Sequence, residues 1–582
     1  MAETFTRIEV FKGEEIEAIY RKARRPTTSV TGVDLGKSDD AMEAMAQGFC
    51  APFDQRVYEA ADGIVCDQDV PVKMRDGCKL YCDIYRPKDE SRKIPVILSW
   101  SWFGKRPGDG MSEWQIMGVP PGTVSKCTKF ESADPLYWCY QGYAVANVDI
   151  RGSGHAEGDV HIFTHQDAQD GYDFIEWIAQ QYWCNGNVGM FGNSAVAIHQ
   201  YHIAQTQPPH LACIAPWESS TDIYRESLYE GGIPALSFNE FIVGSVTGNG
   251  GVDDQVAMAR KYPFMNGYWR DKIPDFSKIR IPVYATAGMS HFHLRGTINA
   301  FRKIRTRKKW IRMHRDFEWA DTYNPDNLED LKRFYDRYLK DIYNGWELTP
   351  RVRLDVMDAY DCDYQLKRPE KSFPIERTVY TRYYLDAERM TMHNNPVSVE
   401  SKVSYDAKTE EAVFDMEFTE DTELTGYMFL RLFVEADGHD DMDMFINIQK
   451  ADKDGNWIPW SALDEPHPGA WGKIRVSRRE LDTELSTDFN PVMAHNREFK
   501  LSKGEIASCD IEIVPSCRIW HKGEKLRVQI AGRYIRGDWF EPLTWDADNR
   551  GRHIIHTGGQ YESFIQVPVI PPRHKSGDYV YR

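Results

Sequence analysis

The chain has 582 residues, 42% of them hydrophobic, enough to bury a large core and to divide into at least two domains. A formal net charge of -17 argues against a nucleic-acid backbone or an anionic membrane as the main partner, and no apolar run is long enough to span a bilayer. The first residues, MAETFTRIEVFKGEE, lack the basic-then-apolar layout of a signal peptide, which sets cytoplasmic as the expectation.

In chain order, residues 1–60 read as an N-terminal extension. It carries a charged helical stretch near residues 14–25 and a Thr/Ser/Gly-rich connector after Pro26. Residues 67–87 predict a hairpin, with Val70, Val72 and Met74 alternating before a turn at Arg75-Asp76-Gly77. Residues 95–100 (PVILSW) and 144–150 (AVANVDI) are short apolar runs of the kind that form buried strands. Between the second run and residue 188, Ala168, Tyr172, Ile175 and Ile178 sit at helical spacing. Strand, helix, strand is the grammar of a parallel sheet with crossover helices.

Residues 188–197 (VGMFGNSAVA) stop at a Gly-Asn-Ser turn and resume as a helix-like run, the layout of a nucleophile elbow. A sharp strand-to-helix turn would lift the Ser194 hydroxyl above the sheet, with Gly192 relieving the crowding. The following helix would offer unpaired N–H groups to a developing oxyanion. Val196 stands where a strict G-x-S-x-G has glycine, and a plain helix-capping turn fits the pattern equally well. Residues 213–217 predict another strand end. An aromatic-rich segment follows, with a Gly-rich break at 244–251, and suggests a cap at about 217–275 over the sheet's carboxyl edge. Residues 281–287 and 309–313 would be the last two strands, with a helix at 297–305 between them and another at 327–341. From about residue 352 short alternating runs predict an all-β sandwich. The eleven cysteines are scattered, without paired C-x-x-C spacing, and read as reduced, mostly buried thiols.

Several stretches taken together resemble the CocE/NonD hydrolases, relatives of the X-Pro dipeptidyl peptidases, cocaine esterase and α-amino-acid ester hydrolases. They include Met74-Arg75-Asp76-Gly77 with Tyr85-Arg86-Pro87, Asp149-x-Arg151-Gly152-x-Gly154, Gly189 to Ser194, and Ala215-Pro216-Trp217-Glu218. Further along come Asn344-Gly345-Trp346-Glu347 and His556-Thr557-Gly558-Gly559. The resemblance covers roughly residues 65–570. It implies an α/β fold: an α/β-hydrolase domain at 61–350 with an inserted helical cap, and a C-terminal jelly roll at 351–582. It also implies acyl transfer to water by serine, histidine and an orienting acid.

On that pattern Ser194 matches the nucleophile and the Ala195 N–H one oxyanion donor. The family's second donor is a tyrosine hydroxyl after an early strand. Here the stretch reads Ser101-Trp102-Phe103-Gly104-Lys105, so Phe103 replaces the phenol, and Trp102 is either a substitute donor or, with Phe103, pocket lining. Where the family has Gly-Trp-x-Asp, this chain has Gly288-Met289-Ser290-His291. His291 reads as a base, a hydrogen-bond donor to substrate, or a loop histidine. His293 reads as a helix-start contact. His314, at a strand end, is the leading proton shuttle, weighed against a surface-loop histidine, with Asp316 or Glu318 as orienting carboxylates. Glu218 and Asp222 either bind a substrate amine, as acidic residues do in some relatives, or cap a helix. His199 and His202 read as packing residues.

Other signals carry less. The basic run 302–315 alternates with apolar residues and reads as a solvated face, and residues 437–443 and 452–455 read as turns rather than calcium loops. The expectation is a serine-dependent hydrolase of an ester or amide in a small molecule or short peptide, working through an acyl-enzyme without cofactor or metal. The alternatives are a non-hydrolytic lyase, cyclisation or acyl-transfer step on the same scaffold, and a silent binding protein. A small-molecule substrate is the expected partner; the extension and the jelly roll leave a homo-oligomer open.

Overall fold

The computed structural model describes residues 3–24, 53–106, 118–360, 362–462, 465–535 and 544–572; the connector after Pro26 and Cys50 lie outside them. Contacts divide the chain into two units. The first comprises residues 1–228, 236–312 and 316–349, and the second residues 229–235, 313–315 and 350–582.

The first unit is built on a mixed sheet. Its strands are β3 (Arg56–Ala61), β4 (Ile64–Lys73), β5 (Lys79–Pro87), β6 (Ile94–Ser101), β7 (Ala144–Asp149), β8 (Cys184–Asn193), β9 (Leu211–Trp217), β11 (Val283–Gly288) and the first four residues of β12 (Lys309–His314), whose last two are counted with the second unit. Strands β3, β4, β5 and β7 pair antiparallel in that order. From β7 the sheet continues in parallel through β6, β8, β9 and β11. Every residue of β6, β7 and β11 is buried, as strands covered on both faces must be.

Nine described helices accompany the sheet: α1 (Pro135–Tyr140), α2 (His165–Ala179), α3 (Ser194–Ala204), α4 (Leu236–Ser245), α5 (Gln255–Lys261), α6 (Gly267–Asp271), α7 (Leu294–Lys303), α8 (Glu318–Thr322) and α9 (Pro325–Leu339). In α2 the buried Ala168, Gly171, Phe174, Ile175 and Ile178 form one stripe. Gly171 lets α3 approach closely, since a Cβ there would meet Ile203 Cδ1 at 2.3 Å. On the other face Leu331, Phe334, Tyr335 and Leu339 of α9 pack with Phe191, Trp217 and Tyr284 of the strands. Asn324 and Pro325 start α9, the first by accepting a backbone N–H and the second by fixing φ in the first turn.

The N-terminal residues depart from the helical expectation. β1 (Thr4–Phe11) and β2 (Glu14–Lys22) form an antiparallel hairpin, and β2 pairs with β10 (Gly251–Asp253). The acidic residues 14, 15 and 17 suggest a helix, but the apolar residues Ile16, Ala18 and Tyr20 recur with period two and are buried. Arg21 then ties the hairpin to the segment after β9, pairing with Glu240 at 2.5 Å and Asp254 at 2.9 Å.

The second unit is predominantly antiparallel, with single parallel bridges at Met357–Arg518 and Thr391–Asp415. Its longest strand, Thr422–Asp437, pairs with Ala507–Trp520, Arg552–Thr557 and Phe564–Ile570. Asp443–Ala451 pairs with Ala470–Arg475 and Lys525–Ala531. Residues 438–442 and 452–456 are connections between strands, and every described cysteine is a free thiol.

Candidate active site

Strand β8 ends and α3 begins without an intervening loop, so the chain must reverse direction within Gly192-Asn193-Ser194. Ser194 is held at φ 52°, the left-handed region that a non-glycine residue occupies only under constraint. Two backbone bonds supply the constraint: Ser194 N–H donates to Glu218 C=O at 2.8 Å and Asn193 N–H to Glu131 C=O at 3.1 Å. Gly192 has φ 152°, and a Cβ there would lie 2.3 Å from Val196 Cγ1 and 2.8 Å from the Glu131 carbonyl oxygen. Valine at 196 is thus accommodated by the absence of a side chain at 192. The Ala195 amide falls in the first turn of α3, where N–H groups have no intrahelical acceptor.

The imidazole at Ser194 belongs to His293. Its Nε2 lies 3.1 Å from Ser194 Oγ, and its Nδ1 lies 3.0 Å from Ser220 Oγ. The sequence points to His314 and His291 and reads His293 as a helix-start contact only; the ring found on Ser194 Oγ is that of His293. His293 does precede α7, as a helix-start contact would, but the chain between β11 and α7 turns so that this ring reaches the elbow. His314 is the buried last residue of β12. No carboxylate meets His293 Nδ1 among the described residues; a hydroxyl does. In the Nδ1–H tautomer that proton is donated to Ser220 Oγ and Nε2 is bare, able to accept the Ser194 hydroxyl proton. Burial drives the His293 pKa down to about 3, so the ring is neutral at neutral pH and Nε2 can accept a hydrogen bond, while the same burial weakens it as a base in the substrate-free state.

His291 is two residues away and has a different partner. Its Nδ1 accepts the His293 backbone N–H at 3.4 Å, and its Nε2 lies 3.4 Å from Glu318 Oε1. Glu318 therefore has the His291 ring as a neighbour. Burial raises its pKa well above the usual carboxylate range, helped by the neighbouring Glu131 and Glu218 carboxyls. Glu131 is raised likewise by burial, although Trp319 Nε1 donates to it at 3.3 Å. Asp316 sits in the turn before α8, its carbonyl oxygen 3.4 Å from the position of a Cβ on Gly288. Glu218 is fully buried and contributes its backbone carbonyl to the elbow. Asp222 is already paired: it accepts the Arg225 backbone N–H and meets Arg225 Nη1 at 2.6 Å, so it caps the π-helical turn Tyr224–Leu228. His199 does more than pack, since its Nδ1 meets Asp167 Oδ2 at 2.5 Å while Trp100 Nε1 donates to the other oxygen.

Aromatic rings join the loop after β6 to this cluster. Trp102 packs on Phe103 (5.3 Å between centroids), Phe103 on Phe130 (5.1 Å), Phe130 on Trp319 (5.2 Å), Trp319 on Phe317 (5.8 Å) and Phe317 on His291 (5.3 Å). The contacts of Phe130 with Phe103 (88°) and of Phe317 with Trp319 (90°) are edge-on, the geometry that satisfies the ring quadrupoles. The buried indole N–H of Trp102 has no hydrogen-bond partner among the described residues.

A parallel sheet with a serine at the tight turn after a central strand, and an imidazole delivered from a later strand end, defines an α/β-hydrolase-type domain. Residues 76–251 match the model of the X-Pro dipeptidyl-peptidase (S15 family), and residues 344–566 that of the X-Pro dipeptidyl-peptidase C-terminal non-catalytic domain. A crystal structure of a CocE/NonD family hydrolase from Staphylococcus aureus is 34% identical with a TM-score of 0.82, covering 87% of this chain and 94% of that one. The cocaine esterase of Rhodococcus sp. (strain MB1 Bresler) is 24% identical over 616 residues, 86% of this chain and 98% of that protein. An α-amino acid ester hydrolase structure, 14% identical with a TM-score of 0.64 over 88% of this chain and 98% of that one, shares the fold. The chain belongs to the CocE/NonD family of hydrolases. It is a hydrolase of esterase or peptidase type whose α/β-hydrolase domain is followed by a non-catalytic domain. Among the described residues no helix is long and apolar enough to cross a membrane.

Proposed function

We propose that the protein hydrolyses a small ester or amide through an acyl-enzyme on Ser194. The observation that carries this reading is the 3.1 Å contact between Ser194 Oγ and His293 Nε2 at a strained, doubly pinned turn. His293 takes the hydroxyl proton as Oγ attacks the carbonyl, then returns it to the leaving group. Water repeats the sequence to release the acid. Ser220 holds the Nδ1–H tautomer in the place where other serine hydrolases use a carboxylate.

The Ala195 N–H is one oxyanion donor in this mechanism. The unpaired indole N–H of Trp102, directly after β6, is the second; that loop is where hydrolases of this architecture supply it. The rings from Trp102 to Phe317 favour an apolar or aromatic group on the substrate, in keeping with the cocaine esterase among the relatives. The segment 217–275 acts as a helical cap: Phe238 of α4 packs on Phe292, 5.4 Å between centroids, beside both histidines. The predominantly antiparallel second unit is a jelly roll that takes no part in the chemistry.

Fluorophosphonate labelling tests this reading. The parent should be labelled once and Ser194→Ala should not be. A parent that resists labelling, or a mutant that labels as well, removes the activated serine.

A further inference from the structure

Beside the serine lies an arrangement that hydrolysis through His293 does not use. His291, His293 and Glu318 are all buried, and one donor atom from each lies within 4.8 Å of the others. His291 Nε2 and Glu318 Oε1 are 3.4 Å apart. With Nδ1 accepting the His293 N–H the neutral ring carries its proton on Nε2, so a cation bound at Nε2 requires that proton to move to Nδ1 and the 3.4 Å contact with the His293 N–H to open. Two ligands bound to one zinc ion at about 2.0–2.1 Å in tetrahedral geometry are separated by roughly 3.4 Å. The three donor atoms lie within 4.8 Å of one another, against roughly 3.4 Å in a bound set, so the donors must close by at most about 1.4 Å to ligate together. The second oxygen of Glu318, Oε2, is buried and has no hydrogen-bond partner among the described residues.

We propose that His291, His293 and Glu318 form an inhibitory site for a borderline-soft divalent cation of the zinc class. Two imidazoles and one carboxylate suit zinc, cobalt or nickel, whereas magnesium and calcium prefer all-oxygen shells. Inhibition follows from the imidazole itself and rests on the role proposed above for His293. A neutral ring has one bare nitrogen. If the cation takes Nε2, Ser194 loses its acceptor. If the cation takes Nδ1, the ring proton moves to Nε2, which then cannot accept another. Either way no base remains for Ser194, and cation and substrate turnover exclude each other.

The test uses the full-length protein, stripped with a chelator and dialysed. Zinc binding is followed by calorimetry, and cobalt binding by visible absorption, in the parent, Glu318→Gln and His291→Gln; far-ultraviolet dichroism checks that each is folded. The parent should bind one equivalent with tetrahedral-type cobalt absorption. Each variant should weaken that equivalent by about a hundredfold, since losing even an outer-sphere partner of a ligand costs up to about that much. In the parent, with zinc at about nine times its dissociation constant, fluorophosphonate labelling of Ser194 should slow about tenfold by simple occupancy and recover on adding chelator. Magnesium should do neither. Binding that is equal in parent and both variants overturns the site, and labelling that is unchanged at full occupancy overturns the inhibition. A parent that never labels, even without metal, removes the serine mechanism while the cobalt titration still decides the site.

Discussion

Replacing His293 by glutamine isolates the proton-transfer step. The amide fills much of the ring's volume and can still hydrogen-bond Ser194 Oγ, but it cannot take a proton at neutral pH. A positioned general base contributes about 10²–10⁴-fold to turnover, or about 3–5.5 kcal/mol of barrier. Nε2 at 3.1 Å from Oγ, with the ring also held at 3.0 Å by Ser220, has the geometry for that transfer. Turnover of a chromogenic aryl ester by His293→Gln should therefore fall by at least about a hundredfold. If His293 is the sole base, His314→Gln should stay within about threefold of the parent, since only the group that takes the Ser194 proton contributes general-base catalysis. The pH profile carries a second signature. Burial lowers the His293 pKa to about 3, so the neutral, active form persists as pH falls through the ordinary imidazole range. The acid limb of kcat/KM should accordingly lie well below pH 6.5. Equal losses in the two mutants, or an acid limb at the ordinary imidazole position, would refute the assignment.

Three further changes probe the surrounding groups. Ser220→Ala removes a neutral hydrogen bond worth about 0.5–1.5 kcal/mol and should lower kcat/KM about two- to tenfold, with Ser220→Thr restoring most of it; no change would mean that the hydroxyl does not hold the tautomer. Trp102→Phe keeps the ring packing but deletes the indole donor, so kcat should fall about a hundredfold with KM little altered, the usual cost of a lost oxyanion donor; an unchanged kcat makes Trp102 lining only. Burial raises the folded pKa of Glu131 well above the ordinary glutamate value of 4.5, so it costs stability as pH rises from 4.5 toward that raised folded value. Glu131→Gln removes that cost, and its melting temperature should exceed the parent's at about pH 8, with the gap closing toward pH 4.5; a gap independent of pH contradicts the raised pKa.

How far the sequence reveals this arrangement depends on how local each cause is. The elbow is legible because Gly192, Asn193 and Ser194 are adjacent and their backbone strain is a local property. The buried strands β6, β7 and β9 are legible because continuous apolar runs have few other uses in a chain of this composition. β2 is misread because three acidic residues at 14, 15 and 17 obscure the alternation of Ile16, Ala18 and Tyr20, and its partner β10 is more than two hundred residues away. The histidine is misread for a related reason. His291, His293 and His314 all stand at strand ends, and which ring reaches Ser194 depends on a few turn dihedrals after β11 that no spacing rule encodes. The one available signal is that His293 sits where α7 starts, so that a helix fixes its direction. Ser220 as the Nδ1 partner is not legible at all, since the family resemblance directs attention to carboxylates.

The central claim is that Ser194 becomes covalently acylated with His293 as its base. Acid quenching within milliseconds of mixing with an aryl ester, followed by intact-mass and peptide mapping, reads this directly. One acyl group per chain, on the peptide containing Ser194 and absent from His293→Gln, is the predicted result. Rapid turnover with no acyl adduct, or an adduct on another residue, would contradict it.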